Sequence, residues 1–430
     1  MSDKCVNVGI LGFGIVGSGT YRLLTDNADA ITQRVGAPVN VKKIADIDWE
    51  RERPVKVPDE LKTADADDIL TDDDIHIVVE TIGGIHPAAD FVLKAIENGK
   101  SVVTSNKEMI ARQGDVILSA AQEASVDVQF EGAVGGVIPI IRTLKESLDA
   151  DRIDTILGIV NGTTNYILTR MSDDRIDFDD ALTQAQELGY AEQDPTDDIE
   201  GIDAANKLAI LAAIAFGRRV DVDGVYREGI EDIKTEDIVY AERLGYCIKL
   251  LAIAQRTEND RLQARVHPAL VPLEHPLASV SGPFNAVFVR GAACDEVMLY
   301  GRGAGDLPTG AAVAGDVVDC ARNILHGTTG RVPCVCAGQA DIMPMGEIAT
   351  RTYVRMKVRD QPGVLGSVAT ILGSQSVSIS SVIQEDTDGE VADIVWVMHK
   401  CPEDRLNTAL ASIKALPIVD SIPARIRVLQ

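Results

Sequence analysis

Val6-Asn7-Val8-Gly9-Ile10-Leu11-Gly12-Phe13-Gly14-Ile15-Val16-Gly17 is the stretch that decides the fold. Its first six residues are nearly all apolar, the pattern of a parallel strand buried on both faces, and they run straight into a G-x-G-x-x-G turn. A helical pattern through Tyr21, Leu23 and Leu24 follows. In a strand, turn and helix of this kind Gly12 makes the tight turn, Gly14 lets the backbone approach a pyrophosphate, and Gly17 allows the helix to pack closely. The helix N-terminus offers unpaired N–H groups and the positive end of its dipole to the same anion. Phe13, Ile15 and Val16 complete the stretch expected to line a dinucleotide.

Working outward, residues 75–80 and 101–104 read as further strands, and residues 87–98 as a helix opened by Pro87 and closed at Gly99. The alternation predicts a doubly wound parallel sheet. Residues 39–45 read as the second strand, which places Asp46 where an acid hydrogen-bonds the adenosine ribose. An acid there repels a 2′-phosphate and favours NAD, but Arg51 and Arg53 stand close behind and could reverse the preference, so NAD and NADP both stay open.

The chain has 430 residues, 46% of them hydrophobic, too long for one core and apolar enough for several. Its apolar runs are shorter than the roughly 20 residues of a membrane span. The N-terminus enters the first strand without a basic leader, and the expected location is cytoplasmic. A net charge of −25 repels nucleic acid and anionic membranes, leaving small molecules as the expected partners. Seven scattered cysteines imply no disulfide framework, and Cys334 with Cys336 lacks the second pair that a zinc site needs.

In open α/β sheets ligands bind beyond the carboxyl ends of the strands, and Thr104-Ser105-Asn106-Lys107 stands at such an end. The glycine-rich exit at residues 131–139 could aim carbonyl oxygens at a hard cation. Asn161-Gly162-Thr163-Thr164-Asn165-Tyr166 follows a strand expected at residues 153–160 and offers hydroxyls and amides at a helix start. The acidic run at 189–207 fails the calcium-loop template, having no glycine six positions into the run that opens at Asp194. Asp203 and Lys207 lie four apart on one face of a helix that continues apolar nearly all round, so the pair is expected to be buried. A paired lysine so placed can protonate a carbonyl oxygen as hydride arrives.

These segments in this order resemble the homoserine dehydrogenase family: residues 12–17, Thr-Ser-Asn-Lys at 104–107, Asn-Gly-Thr-Thr-Asn-Tyr at 161–166, Gly-Tyr-Ala-Glu-x-Asp-Pro at 189–195, Gly-Ile-Asp-Ala-Ala-Asn-Lys at 201–207 and Tyr-Gly-Arg-Gly-Ala-Gly at 300–305. The resemblance implies reversible NAD(P)H reduction of L-aspartate 4-semialdehyde to L-homoserine, in the pathway to threonine and methionine. It makes Lys207 the proton donor, Asp203 its partner, and Lys107 a lysine near the nicotinamide and substrate. It assigns Thr104, Ser105 and Gly305 to the cofactor, and Gly189, Glu192 and Asp198 to the substrate, the two acids suiting its α-ammonium group. It also assigns a sodium site, largely of backbone carbonyls, to Glu131, Val134, Gly136 and Ile138. One departure is Ile47 after Asp46, where many members carry an arginine for the 2′-phosphate.

Toward the C-terminus, strands at 352–359, 377–384, 392–399 and 424–429 alternate with helices at 364–372 and 403–415, a βαββαβ order. Asp360-Gln361-Pro362-Gly363-Val364-Leu365 resembles the opening of an ACT domain, a ferredoxin-like module that binds amino acids where two copies pair. That implies an effector such as threonine at Asp360, Gly363, Val364 and Leu365. The expected organisation is a Rossmann-type domain over 1–135, an α+β substrate and dimerisation domain over 136–335 with 305–325 returning to the first, a linker over 336–348, and the regulatory domain over 349–430. A homodimer or higher homo-oligomer is the expected assembly. Two other readings compete. A semialdehyde dehydrogenase working through a thiohemiacetal needs an activated cysteine, which no sequence cue supplies. A silent amino-acid sensor on the same scaffold has no use for Asp203 and Lys207.

Overall fold

The computed structural model describes residues 5–333, 338–384 and 390–429. Cys334 and Cys336 lie outside the described residues. The chain divides into two compact units, one of Met1–Ile156, Asn206–Val222 and Asn285–Ala340, the other of Leu157–Ala205, Asp223–Phe284 and Asp341–Gln430.

In the first unit, β1 (Val6–Leu11), β2 (Val39–Ala45), β3 (Lys62–Thr63), β4 (Ile77–Glu80), β5 (Ser101–Thr104) and β6 (Val128–Gln129) form a parallel sheet in the order β3-β2-β1-β4-β5-β6. The chain builds outward from β1 to β3, then crosses to the far side of β1 for β4 to β6. The switch point, where such sheets bind ligands, is therefore between β1 and β4. Val6, Val8 and Ile10 make the core with Ile44, Ile77 and Val79, as their continuous apolar runs require.

Helix Asp306–His326 adds Val313, Val317 and Cys320 to that same core. It presses against helix Ile15–Asp26 so closely that a Cβ on Gly19 would stand 2.3 Å from the Asp306 carbonyl oxygen, and one on Gly310 would stand 2.8 Å from the Gly19 backbone. Only glycine fits at either point. The strand β7 (Ile153–Ile159) carries the boundary between the units.

The second unit begins with helices Gly162–Asp174, Phe178–Glu187 and Thr196–Ile199, and continues through β8 (Tyr226–Arg227), β9 (Tyr246–Arg256) and β10 (Leu262–Pro272). β9 and β10 pair antiparallel along their whole length. The chain then returns to the first unit for β11 (Phe284–Gly291) and β12 (Asp295–Arg302), which neighbour each other. The C-terminal segment runs β13 (Ala349–Arg359), helix Val364–Ser374, β14 (Ile379–Gln384), β15 (Val391–Pro402), helix Glu403–Lys414 and β16 (Val419–Val428), the expected βαββαβ order. Trp396, Met356 and Leu406 sit in its core, each such side chain contributing about 1.5–3 kcal/mol on burial.

Two features of this segment carry no sequence signal. β16 pairs parallel with β10 through Ala269 and Leu270, so the sheet runs β9-β10-β16-β13-β15-β14 without a break. And Asp237, in the first turn of helix Thr235–Arg243, is fully buried against Arg355 of β13 in a two-pronged ion pair of 2.8 and 2.9 Å, with the Tyr353 hydroxyl donating at 3.0 Å. Breaking one partner of such a pair costs about 3–5 kcal/mol, because the other charge stays buried alone. Among the described residues no helix is long and apolar enough to cross a membrane.

Candidate active site

The fingerprint turn takes the form its spacing predicts. Gly12 has φ +88°, donates its N–H to the Ala45 carbonyl at 2.9 Å, and accepts at its own carbonyl from the Thr81 hydroxyl at 2.8 Å. A Cβ on Gly17 would stand 2.2 Å from the Gly12 carbonyl oxygen, whereas one on Gly14, the residue before helix Ile15–Asp26, would meet nothing within 4 Å. The turn is thus packed hard at Gly17 and open at Gly14, as a backbone that receives a pyrophosphate must be. Phe13 is buried, Ile15 exposed and Val16 half-buried. Gly305, with φ +127°, precedes helix Asp306–His326, whose first residue touches Gly19 of the fingerprint helix.

Asp46 is more constrained than its position after β2 suggests. Its carboxylate accepts from the N–H groups of Phe13 at 2.6 Å and Asp48 at 2.8 Å, and pairs with Arg53 at 3.1 Å. The Arg53 guanidinium in turn donates to the Phe13 carbonyl at 2.8 Å and lies over the rings of Trp49 and Phe13. Acid and guanidinium together form a clasp across the fingerprint, while Ile47 points to solvent.

At the ends of β4 and β5 a residue without a sequence cue organises the loops. Glu80 is fully buried; its carboxylate accepts from the N–H groups of Ile82 and Gly83 and from the Thr104 hydroxyl at 2.5 Å. The Thr104 oxygen accepts from the Asn106 N–H, and Asn106 caps helix Lys107–Ala124 by accepting from Met109 N–H at 3.1 Å. Thr104 is therefore occupied inside the protein, and Ser105 and Lys107, both half-buried, stand where the strand ends. The only hint of Glu80 in the sequence is one carboxylate ending an apolar strand.

In the second unit the motifs expected to bind substrate meet at Asn161. Its side-chain oxygen accepts from the N–H and hydroxyl of Thr164, both at 2.9 Å, capping helix Gly162–Asp174. Its amide nitrogen donates to Asp198 at 2.6 Å and to Asp203 at 2.8 Å. One amide thus gathers two carboxylates from separate segments. Gly189, with φ +74°, turns the chain after helix Phe178–Glu187. The Tyr190 carbonyl then accepts from the Thr163 hydroxyl at 2.7 Å, and the Tyr190 ring lies 5.0 Å from that of Tyr166. Glu192 is exposed on the following turn. Asp203 and Lys207 are both buried on helix Ile202–Phe216, Asp203 belonging to the second unit and Lys207 to the first.

Asn165 and Lys249 form a scaffold behind this corner: Asn165 donates to the carbonyls of Val280, Gly282 and Phe284, and Lys249 to that of Val280 at 2.6 Å. Burial pulls the Lys249 ammonium below its ordinary range.

Along the expected cation segment, Val134, Gly136 and Ile138 are buried and Gly135 and Gly136 both have positive φ. Both carboxylate oxygens of Glu131 accept backbone N–H groups, from Ile141 at 2.7 Å and Arg142 at 2.8 Å, which leaves main-chain carbonyls as the donors this segment can offer. The Glu131 N–H donates to Asp316, whose carboxyl is pushed up to about 7, first by burial and then by the Glu131 charge. Among the described residues no group of three or more histidines, cysteines or carboxylates could hold a metal ion.

At the C-terminal turn, Asp360 donates its N–H to the Glu390 carbonyl at 2.9 Å, Gly363 has φ +95° at the start of helix Val364–Ser374, Val364 enters the core and Leu365 is exposed. Burial pushes up the thiols of Cys247, Cys294, Cys320 and Cys401, the opposite of an activated nucleophile.

Comparison with known proteins covers the chain almost completely. Residues 12–131 match the family model described as homoserine dehydrogenase, NAD binding domain; residues 139–318 match that described as homoserine dehydrogenase; residues 352–418 match the ACT domain. The homoserine dehydrogenase of Corynebacterium glutamicum is 44% identical over 429 residues, covering 99% of this chain and 96% of that one. A solved structure of a homoserine dehydrogenase from Thiobacillus denitrificans is 44% identical, with a TM-score of 0.93 over 99% of both chains. A hyperthermophilic archaeal homoserine dehydrogenase in complex with NADPH is 28% identical, with a TM-score of 0.62 over 74% of this chain and 98% of its own.

Proposed function

The chain belongs to the homoserine dehydrogenase family, and on that premise we propose how its residues divide the interconversion of L-aspartate 4-semialdehyde and L-homoserine. The observation that carries the proposal is the Asn161 amide joining Asp198 to Asp203 beside the buried Lys207 helix.

A bound nicotinamide dinucleotide supplies or accepts the hydride. In the reductive direction the hydride goes to the aldehyde carbon, the C=O π pair moves to oxygen, and the Lys207 ammonium gives that oxygen a proton; in the oxidative direction the Lys207 amine takes the hydroxyl proton back. Asp203 steadies the lysine's charge. Asp198 and Glu192 hold the substrate's α-ammonium, and Lys107 lies toward the nicotinamide and substrate. Gly14, with open space in front of it, and the N-terminus of helix Ile15–Asp26 receive the pyrophosphate, and Gly305 makes a late cofactor contact.

The Asp46–Arg53 clasp supports use of both cofactors: Asp46 suits ribose hydroxyls and Arg53 suits a 2′-phosphate. The backbone carbonyls of Glu131, Val134, Gly136 and Ile138 would hold a monovalent cation such as sodium. The expected assembly is a cytoplasmic homodimer whose ACT domain takes an amino acid such as threonine at Asp360 to Leu365. Threonine titration of the rate tests that last element, an unchanged rate counting against it.

Nicotinamide absorbance with L-homoserine is the deciding experiment for the chemistry. Lys207→Ala should lower kcat about 10²–10⁴-fold while leaving cofactor binding intact; a folded variant with wild-type kcat would remove the lysine from the mechanism. Arg53→Ala should lower kcat/KM for both cofactors, because the clasp on the fingerprint is lost, and for NADP by about tenfold more, through loss of a charge-assisted pair. An unchanged NADP to NAD ratio would take Arg53 out of cofactor choice.

A further inference from the structure

We propose that Arg427, on β16 of the ACT domain, is a positioning residue for the substrate corner, acting through Glu228 and Gly229 on the short helix Thr196–Ile199 that carries Asp198. The inference rests on the assignment of Asp198 to substrate binding.

Arg427 is almost fully buried, and its guanidinium bridges two carboxylates, Glu228 ahead of β9 and Glu403 at the start of helix Glu403–Lys414. It also donates to the Tyr226 hydroxyl at 3.2 Å and lies 5.3 Å above the Tyr226 ring. Tyr226 donates in turn to the Glu228 carboxylate at 2.9 Å, so Glu228 is held from two sides. Its backbone N–H donates to the Val266 carbonyl at 2.9 Å, continuing the β8–β10 pairing. Residue 228 therefore has little freedom in side chain or backbone while Arg427 is present.

The next residues touch the substrate segment directly. A Cβ on Gly229 would stand 2.5 Å from the Ile199 carbonyl oxygen and 3.0 Å from the Glu200 Cα, so the two backbones are as close as glycine allows. Ile230 N–H donates to the same Ile199 carbonyl at 3.0 Å. One residue earlier, Asp198 offers its carboxylate to Asn161. The path from Arg427 to Asp198 is thus one ion pair, the two peptide units from Glu228 to Ile230, one backbone hydrogen bond and the peptide unit joining Ile199 to Asp198. A four-residue helix has too few internal hydrogen bonds to hold its own place, and the 228–230 strap supplies what it lacks. Removing Arg427 leaves Glu228 without its cation and frees the strap to follow the carboxylate toward water.

The test uses the full-length enzyme and separates KM from kcat. Arg427→Met should raise the KM for homoserine about tenfold or more and leave kcat and the NAD(P) KM within about threefold, the pattern of weakened ground-state binding. Arg427→Lys, which keeps the charge, should recover most of the loss. Glu228→Gln should reproduce the effect, and the double variant should add little to either single one, as expected of residues acting in series. Gly229→Ala perturbs the same contact without touching any charge and carries the test if Arg427→Met does not fold. Folded variants with wild-type homoserine KM would overturn the proposal, as would a joint fall in kcat and rise in both KM values. Asp198→Asn separates the two levels: if it leaves the homoserine KM unchanged, the substrate assignment fails; if it raises that KM while Arg427→Met and Gly229→Ala do not, only the positioning role fails.

Discussion

The fingerprint turn and the substrate corner are both made of small residues and carboxylates at the ends of strands, but they are assembled over different distances. Gly12, Gly14 and Gly17 each act within five residues of one another, and the backbone itself decides which must be packed and which open. Asn161 works instead across 37 residues to Asp198 and 42 to Asp203, tying together segments that are distant in the chain through one amide. The first site fails by steric collision, the second by loss of a polar hub. Substitutions at the two should therefore produce different kinds of damage.

The largest effect is expected at the hub. Asn161→Ala removes a helix cap and the donor that two carboxylates share; the lost cap and hydrogen bonds together cost about 2–4 kcal/mol. Homoserine kcat/KM should fall about 100-fold or more, while NAD(P) binding, measured by fluorescence titration, stays near wild type. Equal losses at both ligands would erase the contrast between the two sites. Gly17→Ala should do the converse. Its new Cβ collides with the Gly12 carbonyl, so dinucleotide affinity should drop with destabilisation of about 1–3 kcal/mol, and the homoserine KM should stay put. A variant with normal cofactor affinity would mean that the turn can relax in a way the packing does not allow.

The smallest effect sharpens the comparison through pH. Asp316, buried in the first unit, keeps its proton up to about pH 7 in the folded protein, against an ordinary value of 3.8. Between those values the folded chain binds more protons than the unfolded chain, so this group's contribution to stability falls as pH rises through the window. Asp316→Asn mimics the protonated form and should flatten the dependence of Tm on pH between about 4 and 7. An identical slope in the variant would assign the dependence to other groups.

What the sequence reveals follows the same division. The parallel sheet, the glycine turn and the βαββαβ order are legible because each depends on local periodicity or on a single φ angle. The shared, buried helix of Asp203 and Lys207 is legible, because its continuation is apolar nearly all round and the helix fixes their spacing. Glu80 is not, since nothing near it in the chain announces that Thr104 and two loop amides will converge on it. Asp237 is misleading: an acid in the first turn of an amphipathic helix ordinarily faces water, whereas this one is sealed against Arg355, 118 residues away. Asp46 is half legible, its place after β2 being evident and its clasp with Arg53 requiring the fold of residues 46–53.

The position of β16 between β10 and β13 has a consequence for how the protein is made. A ribosome adding about 5–20 residues per second finishes β10 many seconds before residues 419–428 emerge. Until then β13, and the end of β10 beyond its β8 pairing, each present an open strand edge, the kind of surface that recruits a second nascent chain. Translation pauses late in the message, or a shortage of chaperones that shield such edges, should therefore reduce the yield of native enzyme more than equal delays in the first hundred codons.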